Sequence, residues 1–287
     1  MAKKVIERDR TGGAIVLSII ILILSQVMAE VIASIIHAIK VPEFICNALA
    51  GILYVLFAYL LIKKLCTKYL NHKMEEYYIP KFSIKWYWIL IGLLLPLCVS
   101  GVYLLFISGT YTTVSLSLFK KLSLIAAGIF YFGIGAGIVE EMVFRGIIMN
   151  ALDKRYNKAV AIIAPSLLFG LVHILGTGFN LLSSLLVVLA GTMVGIMFSL
   201  IAQSHKSIWN SAIVHALWNI IIIGGILHIG NPASEDTLYN YVLKSNSFLL
   251  TGGEFGIESS IIATIGYLIV AAITFIVIKD KLKKKAQ

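Results

Sequence analysis

Apolar residues recur along the chain in eight blocks: 14–39, 43–62, 86–108, 122–150, 159–175, 180–203, 208–229 and 260–278. Each is long enough to cross a bilayer, for which a helix needs roughly 17–25 predominantly apolar residues. None alternates apolar and polar positions with a period of two. Backbone in lipid must also satisfy its own hydrogen bonds, so the blocks predict helices. The expected fold is all-α, a polytopic membrane helix bundle of about eight transmembrane helices. Composition agrees, with 59% hydrophobic and 13% charged residues, against roughly 25% charged in an ordinary soluble domain. The first block is too long for a signal-peptide core and reads as an uncleaved anchor. The largest pieces between blocks, 63–85 and 230–259, are too short for an independent core. Residues 1–287 therefore read as a single integral-membrane domain.

Charge sets the expected orientation. Lys3, Lys4, Arg8 and Arg10 precede the first block, and Lys279, Lys281, Lys283, Lys284 and Lys285 follow the last. Positive residues stay cytoplasmic, so both termini are expected inside, which requires an even number of spans. Lys63, Lys64, Lys68, Lys73, Lys81 and Lys85 in 63–85, Lys154, Arg155 and Lys158 in 151–158, and Lys206 fit the same side. The 230–259 loop holds Glu235, Asp236, Glu254 and Glu258 against Lys244 alone and is expected outside. The net charge of +10 is thus a topology signal, and no basic soluble domain is present to bind nucleic acid. Cys46, Cys66 and Cys98 are odd in number and scattered, so no disulfide framework is expected.

Chemistry must come from polar residues inside the blocks. Glu140 and Glu141 interrupt the fourth, with Arg145 following, although a central charged side chain costs on the order of 2.5–3.5 kcal/mol. On a helix, residues four apart share a face, while adjacent residues diverge by ~100°. Glu141 and Arg145 are therefore expected to pair, in the favourable order of carboxylate before cation. Glu140 points elsewhere and can meet another helix. The division of labour suggested is Glu140 for chemistry and Glu141 with Arg145 for architecture. The alternative is a structural ion cluster near the cytoplasmic helix end. Phe169 and His173 are also four apart, as are His215 and Asn219. A membrane histidine often merely bonds to a neighbouring helix, but two of them beside a double glutamate suggest a hydrolytic centre.

These segments resemble the signature of the CPBP intramembrane proteases, also called the Abi or CAAX-protease family. The family includes type II CAAX prenyl endopeptidases and bacterial bacteriocin-processing and self-immunity proteins. Its E-E-x-x-x-R motif is matched by Glu140, Glu141 and Arg145, its F-x-x-x-H motif by Phe169 and His173, and its H-x-x-x-N motif by His215 and Asn219. The motifs lie in order within 140–219; the rest of the chain is similar only in being membrane helices. The resemblance implies peptide-bond hydrolysis within the bilayer, with Glu140 as the base that activates water and a histidine, His173, positioning it. His215 and Asn219 are implied to stabilise the oxyanion.

The resemblance is compatible with no cofactor or with a divalent metal such as zinc, which would take Glu140, His173 and His215. H-E-x-x-H is absent, and the reading leans to no obligatory metal. The implied partners are a membrane-associated peptide or protein substrate and membrane lipid, not nucleic acid; the sequence leaves oligomeric state open. The main rival is a non-catalytic immunity or scaffold protein using the same cavity. A second is a proton-coupled transporter, against which no paired halves with interrupted helices are visible.

Three further points depend on geometry. On these boundaries Glu140 and His215 fall toward cytoplasmic ends and His173 toward an outer end. The fifth helix would then start later than residue 159, kinked at Pro165, or be tilted or re-entrant. Gly133 with Gly137, and Gly191 with Gly195, have the G-x-x-x-G spacing of close helix packing. Glu30, one turn after Gln26, either contacts the catalytic bundle or sits near the outer interface.

Overall fold

The computed structural model describes residues 10–178 and 180–286; Lys3, Lys4 and Arg8 lie outside them. All eight apolar blocks are helical. In chain order they are α1 (Thr11–Ala38), α2 (Glu43–Leu70), α3 (Trp86–Phe106), α4 (Leu118–Arg155), α5 (Lys158–Gly176), α6 (Leu181–His205), α7 (Trp209–Ile223) and α8 (Ile261–Ala286). Seven are long and apolar enough to cross a bilayer. The exception is α7, with ten α-helical residues followed by five π-helical ones. At 1.5 Å per residue it spans about 22 Å, short of the ~30 Å hydrocarbon core. It stops at Ile223 rather than 229 because Gly225 takes φ +72°, a conformation that suits glycine.

The chain beyond that turn forms a feature not foreseen in the hydropathy. Strands β1 (Gly109–Thr113), β2 (Leu227–Gly230) and β3 (Tyr239–Leu243) make a sheet in the order β1-β3-β2, the first pair antiparallel and the second parallel. These are short loop strands with little apolar alternation, so they leave no periodic signal.

Helix α6 is the centre of the bundle, with 61% of its apolar window buried against 17% for α1. The outer faces of α1, α3 and α8 expose large apolar side chains such as Ile23, Val31, Leu97, Ile269 and Ile273. In water such continuous exposure marks an interaction surface; on a bundle of spanning helices it is the lipid contact. Cys46 and Cys66 are buried, Cys98 is exposed, and all three are free thiols.

The connections fall on two opposite faces. On one, Tyr87 and Trp88 at the start of α3 reach His205 at the end of α6 at 3.1 Å each. There too Trp209 Nε1 donates to the Pro80 carbonyl (2.8 Å), and Lys154 Nζ sits 4.2 Å from the Tyr77 ring. This face collects the lysine-rich connections. The other carries the sheet, the α5–α6 turn and segment 246–259, where the Glu254 N–H donates to Ser183 Oγ (3.2 Å).

Small residues set the helix separations. A Cβ on Gly191 would meet Gly170 Cα at 2.7 Å, and one on Gly195 would meet Ser166 Cα at 2.8 Å, so α5 and α6 touch backbone to backbone. Glu30 accepts from Gln26 Nε2 (3.1 Å) and from the Tyr131 hydroxyl, tying α1 to α4. It therefore contacts the helix that carries the double glutamate, but it does not line the cavity around Glu140.

The close approach of α2 to α4 gives a test. A Cβ on Gly51 would lie 2.1 Å from the Phe130 carbonyl oxygen, a backbone atom that cannot swing away. Overpacking of this kind costs ~1–3 kcal/mol, so Gly51→Ala should lower the melting temperature in detergent. Gly12→Ala, which meets nothing within 4 Å, should leave it unchanged or slightly raised. Equal melting of the two variants would contradict the packing.

Candidate active site

Glu140 and Glu141 end the short α-helical stretch Gly137–Glu141, between π-helical stretches at Ala127–Ala136 and Met142–Ile148. A π-helical turn carries an extra residue and re-aims the side chains beyond it, and such turns recur at functional sites. Glycine 137 brings this stretch against α7, since a Cβ there would meet the Ala216 nitrogen at 2.9 Å. The approach lies beside Glu140 on one helix and His215 on the other.

Glu141 and Arg145 are both fully buried. Arg145 Nη1 donates to Glu141 Oε1 (2.8 Å), and Nη2 donates to the Gly195 carbonyl (3.2 Å). The guanidinium carbon also lies 4.6 Å from the Phe169 ring centroid, 5.2 Å from Phe198 and 5.7 Å from Phe144. Aromatic faces attract a cation, more strongly where it is desolvated. Such a pair is costly to leave half made, because the surviving charge has no water.

His215 is held between the two glutamates. Its Nδ1 is 3.3 Å from Glu141 Oε1 and its Nε2 is 3.8 Å from Glu140 Oε2. Phe198 stacks on the imidazole at 4.6 Å and 18°. An ionised carboxylate only accepts, so Nδ1 carries the proton toward Glu141 and Nε2 faces Glu140. Glu141 thus does more than the pairing expected of it: it also orients an imidazole. One turn on, Asn219 Nδ2 donates to the Phe132 carbonyl (2.8 Å), which fixes the carboxamide and leaves a second N–H.

His173 sits where the α-helical part of α5 gives way to a final 3₁₀ turn. Its Nδ1 donates to the Phe169 carbonyl (2.6 Å), and the two rings lie 4.5 Å apart. A carbonyl cannot donate, so the Nδ1 proton is fixed and Nε2 keeps its lone pair in the neutral ring. The spacing of the second motif therefore has a physical content: Phe169 touches Arg145 on one side and the histidine on the other.

Glu140, His173, His215, Asn219 and Glu258 line one cavity of about 120 Å³, room for several waters. Glu140 keeps 20% side-chain exposure, whereas Glu141 and Arg145 are packed behind it. The depth conflict is resolved by α4, not α5. Helix α4 continues to Arg155 and places Glu140 near its middle, while α5 begins at Lys158 and runs through Pro165 without interruption. Residues 122–221 match the family model for Rce1-like type II CAAX prenyl endopeptidases. Over those residues the chain resembles the CAAX-protease family. It contains all three motifs, and no curated protein matches the chain. The chain is thus a multi-pass membrane bundle with a segment similar to CAAX-type intramembrane proteases.

In the sequence Glu258 reads only as a loop charge. In the structure it accepts from the Trp218 side chain; burial pushes its carboxyl up to about 8, the Trp218 bond opposing and the Glu140 charge adding to the rise. Its place just before α8, opposite a tryptophan between two motif residues of α7, was the available signal. Phe198 carried none. Among the described residues no three His, Cys, Asp or Glu side chains form a metal-binding group. As placed, Glu140, His173 and His215 do not form such a group.

The ion pair can be separated from the cavity carboxylate by mutation. Arg145→Ala and Glu141→Ala should each destabilise the purified protein in a melting assay, by roughly 3–5 kcal/mol as in comparable buried pairs. The double change Glu141→Gln with Arg145→Gln should recover part of that loss, because no lone charge remains. Glu140→Gln should leave the melt nearly unchanged. Equal losses for Glu140→Gln and Arg145→Ala would make the carboxylates one structural cluster.

Proposed function

We propose that the chain is an intramembrane endopeptidase that hydrolyses a peptide bond in a membrane-associated peptide or protein, without an obligatory metal. The observation that carries this reading is the meeting of Glu140, His173, His215 and Asn219, from three helices, around one small cavity. Glu140 takes a proton from a cavity water, with the free Nε2 of His173 holding that water in line. The oxygen attacks the substrate carbonyl carbon, and its electron pair moves to the carbonyl oxygen. The second N–H of Asn219 donates to that oxyanion, and so does His215 Nε2 in the imidazolium form, in which both ring nitrogens carry protons. Glu140 then gives its proton to the departing nitrogen as the C–N bond breaks, leaving a carboxylic acid, whose remaining water proton passes to the released amine to give a carboxylate and an ammonium. A base at this position typically contributes 10²–10⁴-fold. The family description names prenyl endopeptidases, so a lipid-modified C-terminal segment is one substrate class; exported bacterial peptides are another.

Glu140→Gln keeps the side-chain shape and loses the base. It should abolish turnover while the protein still accumulates in the membrane, and Asn219→Ala should lower turnover about 10²–10³-fold if it supplies an oxyanion donor. Membrane peptides from cells with wild-type protein and with Glu140→Gln should differ by at least one cleavage product. Normal turnover by Glu140→Gln would remove Glu140 from the catalytic role and leave a structural ion cluster as the better account of the two glutamates.

We also propose that both termini and the lysine-rich connections face the cytoplasm, with the sheet and segment 230–259 outside. Cysteine labelling in intact cells should modify Asp236→Cys from outside and Lys81→Cys only after permeabilisation. The reverse result would invert the topology.

A further inference from the structure

A second, larger cavity of about 480 Å³ lies on the sheet-bearing face, within the range usual for ligand sites. Ile223, Phe255 and Glu258 line both cavities, so these side chains form the junction between the larger one and the site of Glu140. Phe255 lies against His173, ring centroids 5.7 Å apart. The larger cavity is therefore a vestibule whose inner wall is part of the site itself.

One of its other walls is a strand edge. Strand β2 pairs with β3 on one side only, and residues 228–232, running through and beyond it, line the vestibule. An unpaired strand edge is a template for another extended chain, and strand addition is a recurring mode of peptide capture. The lining also favours a peptide in its charges: it contains Glu254 and neither lysine nor arginine, while Glu258, raised to about 8, is mostly neutral near pH 7.

We infer that this vestibule is the substrate cleft, in which an extended, neutral or basic polypeptide segment adds to the β2 edge and reaches Glu140 past Ile223, Phe255 and Glu258. The inference rests on the proteolytic reading above and on the orientation proposed with it. The segment must then be presented on the extracytoplasmic side, which selects exported peptides or the outer flanks of membrane proteins over cytoplasmic chain ends.

The test uses full-length protein in cells, with the Glu140-dependent cleavage product as readout. In a Cys98→Ala background, Asn246→Cys and, separately, Glu254→Cys place a thiol on the vestibule wall. Thr112→Cys, on the exposed part of the far strand β1, is the control. A bulky membrane-impermeant maleimide added outside should label all three. It should stop product formation by the two vestibule variants, each compared with its own unlabelled sample, and leave Thr112→Cys active. Vestibule thiols that are labelled while cleavage continues, or that are labelled only from the cytoplasm, overturn the cleft. Absence of any Glu140-dependent product overturns the proteolytic reading and the cleft with it, a distinct result. Strand addition has its own readout. Synthetic peptides covering the cleavage site, N-methylated at one amide at a time, should lose turnover with a period of two residues, since alternate amides face a partner strand. Loss without that period overturns the β2 edge as the docking element.

Discussion

A guanidinium with no access to water is the constraint around which this bundle is arranged. Arg145 has zero exposure, and its desolvation has to be offset by whatever surrounds it. The surroundings are one carboxylate, one backbone carbonyl and three aromatic rings. Each of three routes from Arg145 ends at an imidazole of the cavity. Through Glu141 it reaches His215 Nδ1; through Phe198 it reaches the face of the same ring; through Phe169 it reaches His173. The three motifs are thus one object. Their side chains are spaced along the sequence so that a single buried cation can hold two histidines on two other helices. A lysine could not do the same, since its point charge lacks the planar fork and stacking faces that satisfy several partners at once.

Much of this is legible in the sequence. The helices follow from apolar run length, because lipid allows the backbone few alternatives. The Glu141–Arg145 pair follows from four-residue spacing, and the glycine pairs mark where helices touch, since a missing Cβ is visible in sequence and its consequence is steric. Fold class and the core of the site are encoded locally, in patterns a few residues long.

The rest is nonlocal or depends on helical irregularity. The π-helical stretches flanking Gly137–Glu141 have no period of their own, and they decide where Glu140 sits relative to His215. The apolar block understates α4 because the helix's last turns, ending at Lys154 and Arg155, are polar, and hydropathy cannot see a helix that leaves the membrane. That truncation alone creates the apparent conflict over the depth of His173. The sheet and Glu258 escape for another reason. Their placement depends on segments about 130 residues apart pairing on one face, and no short motif records such a meeting.

The two glutamates show how neighbours on one helix acquire different chemistry. Adjacent positions diverge by ~100°, so one carboxylate turns to the dry ion pair and the other to the cavity. The first is held in place by a partner that has nowhere else to go. The second keeps partial exposure and faces the imidazole that the first has oriented. A single carboxylate could not serve both ends, because one packed against Arg145 does not reach the cavity and a free one gives His215 no fixed orientation. The doubled glutamate is therefore a geometric requirement of putting a rigid ion pair and a cavity-facing carboxylate on the same turn of one helix.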